Sequence, residues 1–492
     1  MAHNSKLSPE LKKAIEVIRS KSVEAGLDFF TTSFELVDYK KLHEIAAYGG
    51  FPVRYPHWRW GMEFEKLIKN YEYGLATIYE MVINNDPCYA YLLDSNDLAT
   101  QKTVIAHVYA HSDFFKNNIW FSRTNRKMLD QMANNAQVVR SIIEDEGQER
   151  VEDFIDHCLS LENLLDASQL FSAPKREETK KGVKESEKRK PTKNYMSSYV
   201  KPEAALKEET REELEKKERA KEKKSLEETD VLKFFMNNLS LPAWQMKILD
   251  IVRKEAYYYL PQRQTKILNE GWATYWHSKM MTKISPLDSS EIIDYCNQYA
   301  GIVAQNGPQV NPYRLGLELL KYVEHRWDTG RFGLDYFERE DKSSFQARES
   351  NQGLEKIFEV RKIHNDLSFI DSFFDEEFCH RTKMFIYEYD PNTKKNKITS
   401  RDFKQIKMSL LKSLTNSGCP LIKIVDDNYN GRKELLLRHY FDGQELKQDV
   451  TLATLKRLHF FWKRPIHIET VIGEVPKTLS FDGNETSVNK VQ

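Results

Sequence analysis

Two histidines one helical turn apart inside an apolar run, Ala106-His107-Val108-Tyr109-Ala110-His111, constrain this chain more than any other stretch. The residues just before them, Val104, Ile105 and Ala106, belong in a core, and a buried imidazole needs partners for its polar nitrogens. At i and i+4 both rings leave the same face of a helix, so the fold must bring something polar to meet them. One solution is a pair of core histidines satisfied by neighbouring carboxylates; the other is a metal ion. With 13 histidines in 492 residues, one such pair is unsurprising by chance, so spacing alone does not choose. A second helical stretch, Asn269-Glu270-Gly271-Trp272-Ala273-Thr274-Tyr275-Trp276-His277, supplies Glu270, with His277 seven residues on along the same face. Two imidazoles from one helix and a carboxylate from another are the usual donors of a catalytic zinc site with an open position. His107, His111 and Glu270 are therefore the expected metal ligands, and zinc the expected ion.

The charge balance narrows the partners. Lys+Arg and Asp+Glu both number 74, so no overall basic field draws the chain to nucleic acid. Cys88, Cys158, Cys296, Cys379 and Cys419 show no CxxC spacing, which argues for a reducing compartment and against a disulfide framework or a thiolate zinc knot. The stretch from Met1 to Lys6 leads into charged helical sequence without an apolar signal core. No run reaches the ~18 apolar residues of a membrane span. A soluble, cytoplasmic protein without membrane insertion is expected. No Walker A, GxSxG or dinucleotide fingerprint occurs.

Periodicity predicts a mainly α architecture, a large helical domain followed by a smaller C-terminal α+β domain. Helices are expected over Ser8–Ala25, Phe30–Tyr48, Glu63–Ile78, Leu98–Phe115 and Met128–Cys158, the last broken near Gly147. Further helices are expected over Trp244–Leu260, stopped or kinked at Pro261, over Gln264–Met281, and over Leu315–Glu324. Gly49 to Gly61 reads as an aromatic loop packed over the helical core, and Cys88–Leu93 as a short strand. Residues 174–229 are dense in Lys and Glu and nearly free of large apolar side chains, too poor in buriable surface to offset the entropy of ordering. The domain reading is 1–173 and 230–375 for the two parts of the helical domain, 174–229 for a charged flexible linker, 376–480 for the α+β domain and 481–492 for a disordered tail. Within 376–480, alternation marks strands at Met384–Tyr389, Leu421–Val425, Glu434–Tyr440 and Pro465–Thr470, with a hairpin turn at Asn428-Tyr429-Asn430-Gly431. Helices lie near Arg401–Leu414 and Leu452–Trp462. This domain suits the binding of protein partners better than catalysis.

Long, ordered motifs give the chain a resemblance to a family. They include Phe51-Pro52-Val53-Arg54-Tyr55-Pro56-His57-Trp58-Arg59-Trp60-Gly61-Met62, His107 through Asn118, and Leu159 through Leu165. Further on come Pro261 through Ile267, Asn269-Glu270-Gly271-Trp272-Ala273, Asn311-Pro312-Tyr313-Arg314-Leu315-Gly316, Arg326-Trp327-Asp328 and Asp427 through Arg432. Together they resemble the SpoVR family, stage V sporulation protein R and its relatives. The resemblance implies a cytoplasmic bacterial protein connected with sporulation and assembly of the spore cortex, a peptidoglycan layer. It implies no settled chemistry. A more distant likeness, to HExxH-type zinc metallopeptidases, implies a metallopeptidase-like helical core in which His107, His111 and Glu270 hold zinc.

That second likeness breaks at one position. Val108 stands where the catalytic glutamate of such enzymes would be, and a valine takes no proton from metal-bound water. Substitutes for that proton acceptor are sought in Glu162, Glu255 and His277, with Asp113 a further acid. Each also has an ordinary structural role open to it, such as capping for Glu162 or a salt bridge to an arginine for Glu255. Two functions follow from different classes: a metal-dependent hydrolase of an amide or peptide-like bond, and a catalytically degenerate regulator or scaffold that acts through protein partners. Iron-dependent oxygen chemistry built on His111-Ser112-Asp113 ranks below both, because on one helix Asp113 points away from His111.

Overall fold

The computed structural model describes residues 7–73, 78–171, 227–285, 287–304, 310–333, 336, 338, 350–390 and 395–490. They form two compact units, one of residues 1–159 and 241–419, the other of residues 160–240 and 420–492. The larger is mainly helical and the smaller carries the main sheet.

The larger unit opens with α1 (Pro9–Glu24), whose first turn is capped by the Ser8 hydroxyl accepting from the Leu11 amide. A three-stranded sheet follows in the order β1 (Thr32–Val37), β3 (Cys88–Leu93), β2 (Glu80–Ile83), with β1 parallel and β2 antiparallel to β3. Between β1 and β2 lie α2 (Tyr39–Ala47) and α3 (Trp58–Glu72). The helix expected over Phe30–Tyr48 is thus a strand followed by a shorter helix. Phe34 and Leu36 satisfy a period of two as well as a helical one, and the ladder to the buried strand β3 decides between them. The strand expected at Cys88–Leu93 is present. The aromatic loop ends sooner than its glycines suggest, at His57, whose ring accepts from the Arg59 amide at the start of α3.

α4 (Leu98–Asn117) is capped by Asp97 and buried along nearly its whole length. After it come α5 (Met128–Glu146) and α6 (Gln148–Leu159), separated at Gly147. The second half of the unit holds α8 (Ala243–Gln264), α9 (Lys266–Lys279), α10 (Ile292–Val303), α11 (Pro312–Asp328), α12 (Gly353–Ile363), α13 (Asp366–Phe373) and α14 (Glu376–Thr382). Pro261 lies inside α8 and does not stop it. The interruption comes at Thr265, whose hydroxyl donates to the Pro261 carbonyl at 2.8 Å, filling a place left open by the missing ladder. α9 then starts afresh under a distant cap: Asp366 of α13 accepts from the amides of Ile267 and Leu268, both at 2.8 Å.

Around α9 sits a core of Ala110, Phe114, Phe121, Trp272, Trp276, Leu317, Tyr322 and Phe369. α9 and α11 cross in near contact. A Cβ on Gly271 would lie 2.4 Å from the Gly316 carbonyl carbon, and one on Gly316 would lie 2.1 Å from the Ile267 oxygen. No other residue fits either position. On the opposite face of α4, Val104, Ile105 and Val108 pack with Leu11, Ile18, Leu92 and Met280.

The smaller unit includes α7 (Val231–Asn238) and a five-stranded sheet. The order is β10 (Thr486–Lys490), β9 (Val475–Phe481), β8 (Ile466–Ile472), β7 (Glu434–His439), β6 (Ile422–Tyr429). β6 and β7 form the expected hairpin; β7 to β8 is the parallel step, reached through α16 (Gln448–Trp462). Phe235 stacks on Phe461, ring centroids 5.1 Å apart. Residues 376–419 belong with the helical unit, not with this sheet. Among the described residues, their two strands, β4 (Ile386–Asp390) and β5 (Lys395–Ser400), pair only with each other. Ile406 of α15 (Phe403–Leu414) is buried in the core around α9. The tail expected to be disordered carries β10, which gains its backbone partners from β9 while its side chains stay exposed. The charged stretch 174–229 lies, up to residue 226, outside the described residues.

Candidate metal centre

Three side chains from α4 and α9 converge. The Glu270 Oε2 atom stands 3.4 Å from His111 Nε2 and 3.5 Å from His107 Nε2. The three donor atoms all lie within 4.8 Å of one another, and all three side chains are buried. Distances of 3.4–3.5 Å are long for hydrogen bonds, and Glu270 Oε2 has no hydrogen-bond partner among the described residues although it is shut away from solvent. Donors held 2.0–2.2 Å from a tetrahedral ion are separated by about 3.3–3.6 Å. The two separations from Glu270 match that edge length.

The orientation of the rings is prepared from outside. His111 donates from Nδ1 to Asn269 Oδ1 at 2.9 Å, which turns Nε2 toward Glu270. The two rings meet edge to face, centroids 4.5 Å apart. Because His111 meets Asn269 while His107 lies beside His277, α4 and α9 run antiparallel. Glu270 binds Lys266, one turn back on α9, through its other oxygen. Burial works to raise the Glu270 carboxyl, but Lys266 and the imidazoles of His111 and His107 outweigh it, and the group is held well below the usual carboxylate range. His111 is raised: burial alone would lower it, and the Glu270 charge more than compensates.

Two further groups border the cluster. Glu80, the first residue of β2, places Oε1 3.8 Å from His107 Nε2; burial raises its carboxyl. Tyr313, in the first turn of α11, lies parallel to His107 with ring centroids 6.4 Å apart. Burial, then the Glu270 charge, raises its phenol.

The three proposed substitutes for a catalytic glutamate separate. His277 is fully buried, 5.4 Å from His107 by ring centroids, and among the described residues neither of its nitrogens has a hydrogen-bond partner. Burial, followed by the charges of His107 and His111, lowers its pKa well below the ordinary range, so the ring is neutral. Glu255 instead meets Arg54 at 2.7 Å and accepts from Asn135 at 3.3 Å in a buried pair that fixes the aromatic loop onto α8. That is the salt bridge weighed for it, with Arg54 in place of the nearer arginines. Glu162 belongs to the other compact unit. Asp113 is fully committed, accepting from the Asp28 amide, the Trp272 indole and Arg361 at 2.8–2.9 Å. An iron site through it has no free carboxylate to use. Val108 faces the apolar packing on the far side of α4.

Glu80 escaped the sequence reading because β2 is four residues long and reads as a continuation of the preceding helix. Asn269 and Lys266 lay inside quoted motifs, and their i+4 or cross-helix roles show only once α4 and α9 are paired.

The chain is 27% identical over 470 residues to an uncharacterized protein of Escherichia coli strain K12, YcgB, covering 90% of this chain and 88% of that one. No solved structure matches, so the likeness to zinc metallopeptidases rests on the donor residues alone. A family model for SpoVR-like protein matches residues 6–419, and one for the SpoVR-like C-terminal domain matches residues 420–473. Their junction coincides with the boundary between the larger unit and the sheet. The chain therefore belongs to the SpoVR family, a membership that suggests a role connected with sporulation.

Proposed function

We propose that this protein is a metal-dependent hydrolase of an amide or peptide-like bond, with His107, His111 and Glu270 as the ligands of a divalent ion, zinc in the first instance. The observation that carries the reading is the buried, unpartnered Glu270 Oε2 with two imidazole nitrogens at 3.4 and 3.5 Å. Such an ion, when bound, supplies Lewis acidity toward a carbonyl and an acidified water. The chain's own contribution is to orient and to balance charge. Asn269 holds the His111 ring, Lys266 offsets the Glu270 charge, and Tyr313 lies alongside His107. His277, a neutral ring beside His107 whose nitrogens have no hydrogen-bond partner among the described residues, offers one N–H donor and one acceptor there. In the family's setting the substrate is a peptidoglycan-type amide destined for the spore cortex, met in the cytoplasm.

A second reading, a metallopeptidase-like regulator without turnover, is favoured by one observation. Val108 offers no base and is packed in the core. Protein partners would then be bound through the C-terminal sheet. Incubating metal-loaded protein with peptidoglycan-type peptides and following new amines separates the two. Turnover that disappears in His107→Ala supports the hydrolase; stoichiometric metal without turnover on any such amide supports the regulator.

No helix among the described residues is long and apolar enough to cross a membrane.

A further inference from the structure

We propose that Glu80 is a fourth protein ligand, making the centre a two-histidine, two-carboxylate site. The proposal rests on the three-donor reading above and extends it. Glu80 begins β2, the edge strand, and alternation puts it on the same face as Val82, which packs into the core on α4. Its Oε1 lies 3.8 Å from His107 Nε2. Its side chain is 20% exposed, against 8% for His107 and Glu270. The site therefore opens toward solvent on the Glu80 side.

Charge makes the same point. Two carboxylates, Glu80 and Glu270, face His107, and Glu270 faces His111 as well. The ammonium of Lys266 is engaged with Glu270 Oε1 through a side chain that is 57% exposed. Like charges brought together out of water repel unless one takes up a proton or something between them is positive. Glu270 Oε2, buried and without a hydrogen-bond partner, is a second, independent sign of a cation at this point. A divalent ion meets both requirements. A second carboxylate also makes the donor set harder and more anionic than His2Glu, which suits Mn(II) and Fe(II) as well as zinc. A water completing the sphere would lie on the exposed side.

Cobalt(II) chloride titrated into the metal-free full-length chain, read by visible absorption, tests this. Wild type is expected to bind one ion, and His107→Ala none. Glu80→Gln, isosteric on the strand, and Glu80→Asp, which keeps the charge but shortens the reach, are each expected to weaken binding by about tenfold or more. Both should change the band intensities, as the coordination sphere loses a carboxylate. Unfolding midpoints in chelator, matching wild type, show that the variants fold. Wild-type affinity and spectrum in Glu80→Gln would overturn the fourth ligand and leave the three-donor site standing. So would wild-type binding by Glu80→Asp, since Glu80 would then act only as a charge. Failure of wild type to bind cobalt at all would overturn both readings together.

Discussion

His111 stands between two partners, its Nδ1 donating to Asn269 at 2.9 Å and its Nε2 set 3.4 Å from Glu270. The first contact is a normal hydrogen bond and the second is too long to be a good one. The ring is held so that Nε2 faces a carboxylate oxygen at more than hydrogen-bonding distance, which is the arrangement a metal ligand needs and a satisfied core histidine does not.

Asn269 should therefore matter to the metal more than to the fold. Replacing it with leucine removes the acceptor that fixes the His111 tautomer. Metal affinity should fall by about 10–100-fold, measured by competition with a chromophoric chelator. The metal-free unfolding midpoint should move little.

The α9–α11 contact gives a second expectation. Gly316→Ala sets a methyl 2.1 Å from the Ile267 carbonyl and 2.7 Å from the Gly271 Cα. The helices must part, at a cost of about 1–3 kcal/mol. Glu270 adjoins Gly271, so metal affinity should fall alongside stability. Urea unfolding and metal titration on one preparation check both.

Glu255 should behave oppositely. Its pair with Arg54 is 2.7 Å long and both side chains are under a tenth exposed. Glu255→Gln leaves a buried guanidinium without its counter-charge, costing about 3–5 kcal/mol. Metal content should be unchanged, a combination that marks a structural carboxylate.

How far the sequence foretold these roles depended on the range of the contacts involved. The HxxxH and Glu270 donors were legible because helical spacing fixes which side chains share a face, and their ligand chemistry is distinctive. The strand at Cys88–Leu93 and the β6–β7 hairpin were legible from the turn residues that bound them. Thr32–Val37 was not, since its apolar spacing fits both periods and only the long-range ladder to β3 resolves it. Glu80 was invisible for the same reason: a four-residue edge strand has little local signature. Arg54 as the partner of Glu255 is 201 residues away in sequence, beyond any spacing argument.

His277 sets a pH dependence in the metal-free protein. Its pKa in the folded chain is well below the ordinary 6.5, so below about pH 6.5 the unfolded chain binds a proton that the folded chain refuses. Stability contributed by the neutral ring is complete above that pH and is lost as pH falls through it, at up to about 1.4 kcal/mol per unit. Denaturant unfolding between pH 7.5 and pH 5 should show a shallower loss for His277→Phe than for wild type in the presence of chelator.

The most direct measurement is metal content by mass spectrometry on the purified protein beside His107→Ala and Glu270→Ala. Near-stoichiometric divalent metal in wild type, absent from both variants while they remain folded, is the result expected of a His107, His111, Glu270 centre. A folded wild type that holds no metal, even after incubation with zinc, manganese or iron(II), would contradict it and leave these residues as polar groups of the core.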